Sequence, residues 1–173
     1  GGISAFKYAP DLSKILYTKE VKLDSTVNDK YPDLDKANAK IVENIMYRHW
    51  DSWVESYSHI FIADFNGNKL MNHIDILENG KYDSPLKPFG GIEQINWSPD
   101  NKNIVYTSKK KTGKEYAFST NSDIYIYNIE NKQHINISEG MMGYDIAAVY
   151  SPDGKKLAWE SMEHDGYEAD KNR

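Results

Sequence analysis

The segment Ser151-Pro152-Asp153-Gly154-Lys155-Lys156-Leu157-Ala158-Trp159 decides the fold, because it describes a tight corner that leads into an apolar run. Proline presets φ at the first corner position, aspartate can hydrogen-bond its own backbone, and glycine tolerates a left-handed conformation. We therefore expect one strand before this corner and a second strand after it, paired as a hairpin.

The same corner occurs twice earlier in the chain. An aromatic residue precedes Ala-Pro-Asp at residues 8–11 and Ser-Pro-Asp at residues 97–100, and an apolar run follows each corner. Each copy begins close to a glycine, at Gly2, Gly91 and Gly143. Recurrence of one unit at intervals of tens of residues is typical of repeat architectures.

A second strand pair follows each of the first two corners. Residues 58–65 turn at Asn66-Gly67-Asn68 into residues 70–76, and residues 122–128 turn at Glu130-Asn131 into residues 133–138. Four strands in a unit are typical of a propeller blade. The sequence thus predicts an all-β fold, a partial β-propeller of about two and a half four-stranded antiparallel blades. We expect blade 1 at about 2–77, blade 2 at about 91–138, and half of blade 3 at about 143–173.

The first predicted blade contains an insertion, because 89 residues separate Pro10 from Pro99 whereas 53 separate Pro99 from Pro152. We place the insertion at residues 20–57. Apolar residues at helical spacing after Pro32 predict a helix near residues 36–48, which we expect to pack on the propeller. These apolar residues are Ile41, Val42, Ile45 and Met46, and the spacing extends to Trp50.

Composition supports strands and excludes several functions. The chain has 13 tyrosines and 4 tryptophans among its 173 residues, and aromatic residues pack well in sheets. A formal charge of -5 argues against nucleic acid or an anionic membrane as a partner. With no cysteine, the chain has neither disulfides nor thiolate metal ligands. No apolar run approaches the ~20 residues that span a bilayer.

The predicted turns differ sharply between the two ends of the strands. The corners within each strand pair are short, whereas the connections between the pairs are long: residues 20–57, residues 109–121 and a segment that begins near Met162. Long loops on a rigid scaffold commonly carry binding sites, because they vary without disturbing the core. We expect the end with the long connections to meet a substrate or a partner.

Three further segments, together with the repeated corner, resemble the propellers of the prolyl oligopeptidase family of serine peptidases. Met46-Tyr47-Arg48-His49-Trp50-Asp51-Ser52-Trp53 resembles the first-blade insertion of dipeptidyl-peptidase V-type and acylaminoacyl-peptidase-like enzymes. Tyr116-Ala117-Phe118-Ser119-Thr120-Asn121-Ser122-Asp123-Ile124-Tyr125 is similar to a segment of the same enzymes. So is Trp159-Glu160-Ser161-Met162-Glu163-His164-Asp165-Gly166-Tyr167-Glu168-Ala169-Asp170-Lys171.

The resemblance implies a two-domain exopeptidase that is periplasmic or secreted. In such an enzyme an N-terminal propeller covers a C-terminal α/β-hydrolase domain, which carries the Ser, Asp and His of the triad. The chain has no Gly-x-Ser-x-Gly motif, since Gly2-Ile3-Ser4-Ala5-Phe6 lacks the second glycine. We therefore assign no catalytic residue and no cofactor to this chain. We expect it to cap and gate the active site and to contact the N-terminal end of short peptide substrates.

Two groups of residues are candidates for substrate binding. A guanidinium with nearby rings could hold a carbonyl or carboxylate, and carboxylates could pair with a peptide ammonium. The alternative for both groups is a structural role, with Arg48 paired to Asp51 and the acidic residues shaping a loop around Gly166 and Tyr167. The candidates are Arg48, Trp50 and Trp53 in the insertion, and Glu160, Glu163, Asp165 and Glu168 near the end of the chain.

We expect no metal site. The five histidines, His49, His59, His73, His134 and His164, show no i, i+4 pair. The aspartates Asp29, Asp33, Asp35 and Asp51 lack the glycine and terminal glutamate spacing of an EF-hand.

A different class of protein remains as the alternative: a TolB-like propeller that carries no enzyme and acts as a protein-binding scaffold. The long first-blade insertion favours the peptidase, because a scaffold needs no lid. A WD-type scaffold is disfavoured, since Trp50-Asp51 lies in the insertion and not at a strand end. A partial propeller also exposes apolar sheet faces and strand edges, so we expect self-association.

Overall fold

A computed structural model describes residues 2–42, 53–166 and 169–173. Most of the regular structure in these residues is β-strand, and the helices are short. The strands are β1 (Ile3–Tyr8), β2 (Lys14–Lys22), β3 (Ser56–Phe65), β4 (Leu70–Asp75), β5 (Ile95–Trp97), β6 (Asn103–Ser108), β7 (Asp123–Asn128), β8 (His134–Asn136), β9 (Asp145–Tyr150) and β10 (Leu157–Ser161). The helices are α1 (Val27–Lys30), α2 (Gly113–Phe118) and a 3-10 turn at Ile92–Gln94.

The strands form three antiparallel sheets in which chain neighbours pair in order. The first sheet has the order β1-β2-β3-β4, the second has the order β5-β6-β7-β8, and β9 pairs with β10 in the third. The prediction of an all-β chain is confirmed. The two predicted second strand pairs are also confirmed, as β3 with β4 and β7 with β8.

The two Ser-Pro-Asp corners share one hydrogen-bond pattern. The Ser98 hydroxyl donates to the Asp100 carboxylate at 2.5 Å, and the Ser151 hydroxyl donates to Asp153 at 2.6 Å. In both corners the serine oxygen also accepts the backbone N–H five residues later, at 2.9 Å. The Ser-Pro-Asp sequence therefore closes these hairpins through its own side chains.

The fourth residue of each corner has a left-handed backbone. Asn101 and Gly154, which the sequence marked as tolerant of this conformation, have φ values of 62° and 70°. In the first corner the same position is Leu12, with φ of 62°.

The main core lies between the first and second sheets, and a smaller one lies between the second and third. Apolar side chains that alternate along the strands supply both. The main core comprises Ala9, Leu16, Ile60, Ile62, Ile76, Leu77, Ile95, Trp97, Ile104, Tyr106, Tyr125 and Tyr127. The smaller core centres on Val105, Ile124 and Ala148.

The first long connection is slightly shorter than the predicted insertion at 20–57. Residues 20–22 pair with residues 56–58, so β2 and β3 extend and the connection spans residues 23–55. Its helix is α1, where the Thr26 hydroxyl accepts the Asp29 N–H and the Asp29 carboxylate accepts the Thr26 N–H. This reciprocal capping fixes the helix start.

The predicted helix near 36–48 is wrong over residues 36–42, which contain no helix. Turns there close from the Leu34 N–H to the Tyr31 carbonyl and from the Ala37 N–H to the Leu34 carbonyl, both at 3.0 Å. Val42, part of the predicted apolar stripe, is 64% exposed, so no packed surface supports a helix at that point. Residues 43–48 lie outside the described residues.

Candidate functional site

The long connections lie together at one end of the sheets. Antiparallel order places the β2–β3 connection, the β6–β7 connection and the segment after β10 at this end of their sheets. Ser84 joins the first two sheets, because its N–H donates to the Ser58 carbonyl at 2.9 Å and its hydroxyl donates to the Thr107 carbonyl at 2.7 Å. We call the described residues at this end the loop face: residues 23–42, 53–55, 109–122, 162–166 and 169–172.

Asp165 ties two of these connections together. Its half-buried carboxylate accepts the Thr120 N–H at 2.6 Å and the Asn121 N–H at 3.1 Å, and it also accepts the Ser119 hydroxyl at 2.8 Å. The Gly166 N–H donates back to the Thr120 hydroxyl at 2.8 Å. Burial opposes the charge, yet these donors hold the pKa of Asp165 below its usual value. The carboxylate is therefore engaged by the chain's own backbone.

Lys109 anchors the second connection from inside. Its ammonium donates to the Tyr116 carbonyl at 2.7 Å and to the Ser119 carbonyl, and it lies 4.0 Å from the centroid of the Tyr116 ring. Burial lowers the pKa of Lys109 to about 8, while the charge of Asp165 acts in the opposite direction. Lys109 and Asp165 thus fix residues 116–121 from two sides.

Glu160 and Glu163 are both exposed and both meet the last residues of the chain. Glu160, on β10, accepts the Asn172 side-chain amide at 2.8 Å, and Glu163 forms an ion pair with Arg173. Arg173 also exchanges backbone hydrogen bonds with Ser161, at 2.9 and 3.1 Å. The third connection therefore leaves β10 and returns beside it.

Asp170 holds the turn of that connection, a role that the sequence did not indicate. Its carboxylate accepts the N–H groups of Glu163 and His164 at 2.9 Å, and it lies 2.9 Å from the His164 Nδ1 atom. The hydrogen bond to the His164 ring contributes most to lowering the pKa of Asp170 to about 2. The sequence signal for this role of Asp170 is an acidic residue six positions after a histidine, a spacing that is common by chance and predicts no contact.

Trp53 is half-buried within the first connection. The ammonium of Lys40 lies 5.5 Å from a ring centroid of Trp53 and forms an ion pair with Glu55 at 2.8 Å. Arg48 and Trp50, predicted to act with Trp53, lie outside the described residues, and so does Glu168. The structure thus brings Asp165 to Ser119, Thr120 and Asn121, and brings Glu160 and Glu163 to the end of the chain.

His59 has a structural role next to the loop face. It is fully buried, with Nδ1 at 2.8 Å from the Asp75 carboxylate and Nε2 at 2.9 Å from the Gly80 carbonyl. Asp75 also accepts the Leu77 N–H at 2.9 Å. His59 therefore positions the segment that joins the first two sheets.

The described residues contain no helix that is long and apolar enough to cross a membrane. No protein-family model matches the chain. Individual proteins do match it. The chain is 52% identical to dipeptidyl-peptidase 5 of Porphyromonas gingivalis over 173 residues. This match covers 100% of the chain and 25% of that protein.

Two further relatives carry the same name. Dipeptidyl-peptidase 5 of Porphyromonas endodontalis is 44% identical over 170 residues, covering 98% of the chain and 25% of that protein. Dipeptidyl-peptidase 5 of Aspergillus fumigatus is 28% identical over 186 residues, covering 93% of the chain and 25% of that protein. The chain thus spans about a quarter of the length of the curated relatives it matches.

Proposed function

This chain is homologous to a quarter-length segment of dipeptidyl-peptidase 5, and on that premise we propose that it is the propeller portion of a serine exopeptidase. In this proposal the chain itself carries no catalytic residue, and it caps and gates an active site on a C-terminal α/β-hydrolase domain. The observation that carries the proposal is 52% identity across the whole chain to one such relative.

The sheet arrangement supports a partial propeller. Two successive four-stranded sheets follow the chain in order, and a third sheet begins with β9 and β10. The first two sheets share one buried core, as neighbouring blades do. We propose blade 1 at about 2–77, blade 2 at about 91–138 and half of blade 3 at about 143–173.

The loop face supports a gating role. Long connections of all three sheets lie at this end, and Asp165 couples the second connection to the third through backbone hydrogen bonds. A surface whose loops are fixed to one another can present side chains to a substrate without reordering, which limits the entropic cost of binding. We propose that short peptides approach this face.

We propose Glu160 and Glu163 as the described residues that pair with a peptide ammonium. Both carboxylates are exposed, Glu163 on the loop face and Glu160 on β10 beside it, and each has a side-chain partner at the end of the chain. Asp165 is less suited to the task, since its oxygens are engaged by Thr120 and Asn121. Arg48, Trp50, Trp53 and Glu168 remain proposed contacts.

Self-association is a further proposal for the chain when it is taken alone. On the outer face of the first sheet, Phe6 and Tyr8 are 55% and 45% exposed, beside the cluster that contains Tyr17 and Phe61. An apolar sheet face of this kind is stable when covered. In the complete protein we propose that further sheets cover it, and that the protein is periplasmic or secreted.

The first experiment is to read the natural gene around this segment and to assay its complete product. A downstream Gly-x-Ser-x-Gly motif followed by Asp and His, with release of dipeptides that stops when the serine is changed to alanine, is the expected result. The 173-residue chain alone should be inactive. A gene that encodes the remaining strands and no hydrolase would overturn the proposal and leave a TolB-like binding scaffold.

A further inference from the structure

Three tyrosine rings surround the side chain of Lys110. Its ammonium nitrogen lies 3.9 Å from the ring centroid of Tyr125, 5.0 Å from that of Tyr82 and 5.7 Å from that of Tyr106. The rings come from separate parts of the chain, namely β6, β7 and the segment that joins the first two sheets. We call Tyr82, Tyr106 and Tyr125 the tyrosine cage.

Two rings of the cage are fixed within the second sheet. Tyr106 is fully buried, and its hydroxyl lies 2.8 Å from the His134 Nδ1 atom. The Tyr125 hydroxyl donates to Asp123 at 3.3 Å, and the two tyrosine rings stack with centroids 5.4 Å apart. These contacts do not involve Lys110.

The third ring is fixed by a close approach to backbone. Tyr82 packs against Gly80 so tightly that a Cβ at Gly80 would lie 2.3 Å from the Tyr82 Cζ atom. Gly80 itself is held by His59, whose Nε2 lies 2.9 Å from the Gly80 carbonyl. The cage is therefore preorganised by the fold.

The rings are the main partners of the Lys110 ammonium. Within the described part of the chain Lys110 donates no hydrogen bond, whereas the ammonium of Lys109 donates to two backbone carbonyls. Asp123 favours the charge from nearby, although burial lowers the pKa of Lys110 to about 8. Tyrosine faces attract ammonium groups through their quadrupoles, most strongly where water is partly excluded.

We propose that the tyrosine cage is an ammonium-binding site that Lys110 fills from its own chain, and that a small primary ammonium compound can take the place of Lys110. Since Lys110 is the second residue of the connection at residues 109–122, its docking also holds that part of the loop face against the sheet. The proposal concerns binding alone and is independent of peptidase activity.

The test is chemical rescue, read by hydrogen exchange in the complete natural protein. In the Lys110→Ala variant, backbone amides of residues 109–122 should exchange about five- to thirtyfold faster than in the unchanged protein. Methylammonium chloride should restore the slow exchange of Lys110→Ala, and potassium chloride at equal ionic strength should not. Tyr82→Leu added to Lys110→Ala should weaken the rescue.

Lys110→Met is the matched control, because methionine keeps an apolar stem in the cage and removes the charge. It should exchange faster than the unchanged protein and should not respond to methylammonium, since its side chain occupies the site. Exchange in Lys110→Met as slow as in the unchanged protein would show that the stem and not the ammonium fills the cage, and would overturn the proposal. So would a Lys110→Ala variant that responds equally to both salts. If Lys110→Ala does not fold, the exchange rate of Lys110→Met relative to the unchanged protein still decides whether the ammonium is needed in the cage.

Discussion

Leu12 and Gly154 occupy the same position in two copies of one corner, and both have a left-handed backbone, with φ of 62° and 70°. Glycine adopts this conformation without strain, whereas in leucine the Cβ atom approaches a carbonyl oxygen and raises the free energy of the folded state by roughly 1 to 2 kcal/mol. Leu12 gains little packing in return, because its side chain is 62% exposed. The left-handed backbone of Leu12 is thus maintained by the rest of the hairpin and not by the packing of its own side chain.

Leu12→Gly should therefore stabilise the protein by about 1 kcal/mol, less the entropy that glycine adds to the unfolded chain. Thermal unfolding measures the change. Gly154→Leu is the reciprocal control and should destabilise the protein, because leucine is strained in the left-handed backbone at this position. A Cβ there makes only ordinary contacts with Pro99, at 3.7 and 3.8 Å, so the backbone strain is the main effect. A Leu12→Gly variant that unfolds at a lower temperature would contradict this interpretation.

Gly143 should not tolerate alanine. A Cβ at Gly143 would lie 1.6 Å from the Met162 carbonyl oxygen, which is backbone and cannot move without disturbing the end of β10. Gly143→Ala should destabilise the protein by about 3 kcal/mol, as overpacking of a closed site does. Gly2→Ala is the control, since nothing lies within 4 Å of a Cβ there. Equal unfolding temperatures for the two variants would refute the close approach.

Local turn chemistry explains why the hairpins could be predicted. The Ser-Pro-Asp corner closes through its own side chains, as in the hydrogen bond from Ser151 to Asp153. The nine residues 151–159 therefore contain the interactions that form this hairpin turn. The helix predicted near 36–48 needed a packed surface that the sequence does not specify, and exposed Val42 has none. The structural contacts of Asp165 could not be predicted, because its hydrogen bond with Thr120 joins residues 45 positions apart, which no local pattern shows.

Asp165 should make the loop face sensitive to acid. Its pKa is lowered in the folded protein, so the stabilisation that it gives is complete above the unfolded value near 3.8 and is lost as pH falls through the lower folded value. The amide signals of Thr120 and Asn121 in NMR spectra should titrate in that acidic range. Asp165→Asn should abolish the titration, and Asp165→Ala should cost about 1 to 3 kcal/mol by leaving backbone N–H groups unpaired. Signals that titrate alike in Asp165→Asn would assign the effect to another group.

The 173-residue chain, produced alone, should self-associate through the outer face of its first sheet. Phe6 and Tyr8 lie there with ring centroids 5.8 Å apart, and both are largely exposed. Phe6→Ser should lower the association constant measured by sedimentation velocity. Ile135→Ser is the matched control, because Ile135 is 59% exposed on β8, in the second sheet. A monomeric unchanged chain, or equal effects of the two variants, would exclude this face.

Glu163 separates substrate binding from loop architecture, because its only described side-chain partner is Arg173. If the Glu163 carboxylate binds a peptide ammonium, Glu163→Gln in the complete protein should raise KM for a dipeptidyl substrate about tenfold with kcat retained. Arg173→Met removes the same exposed ion pair but keeps the carboxylate, and such pairs contribute about 0 to 1 kcal/mol. KM should then stay unchanged or fall, since the carboxylate loses a competing cation. A rise in KM of equal size in both variants would show that the ion pair shapes the loop and that Glu163 does not contact the substrate.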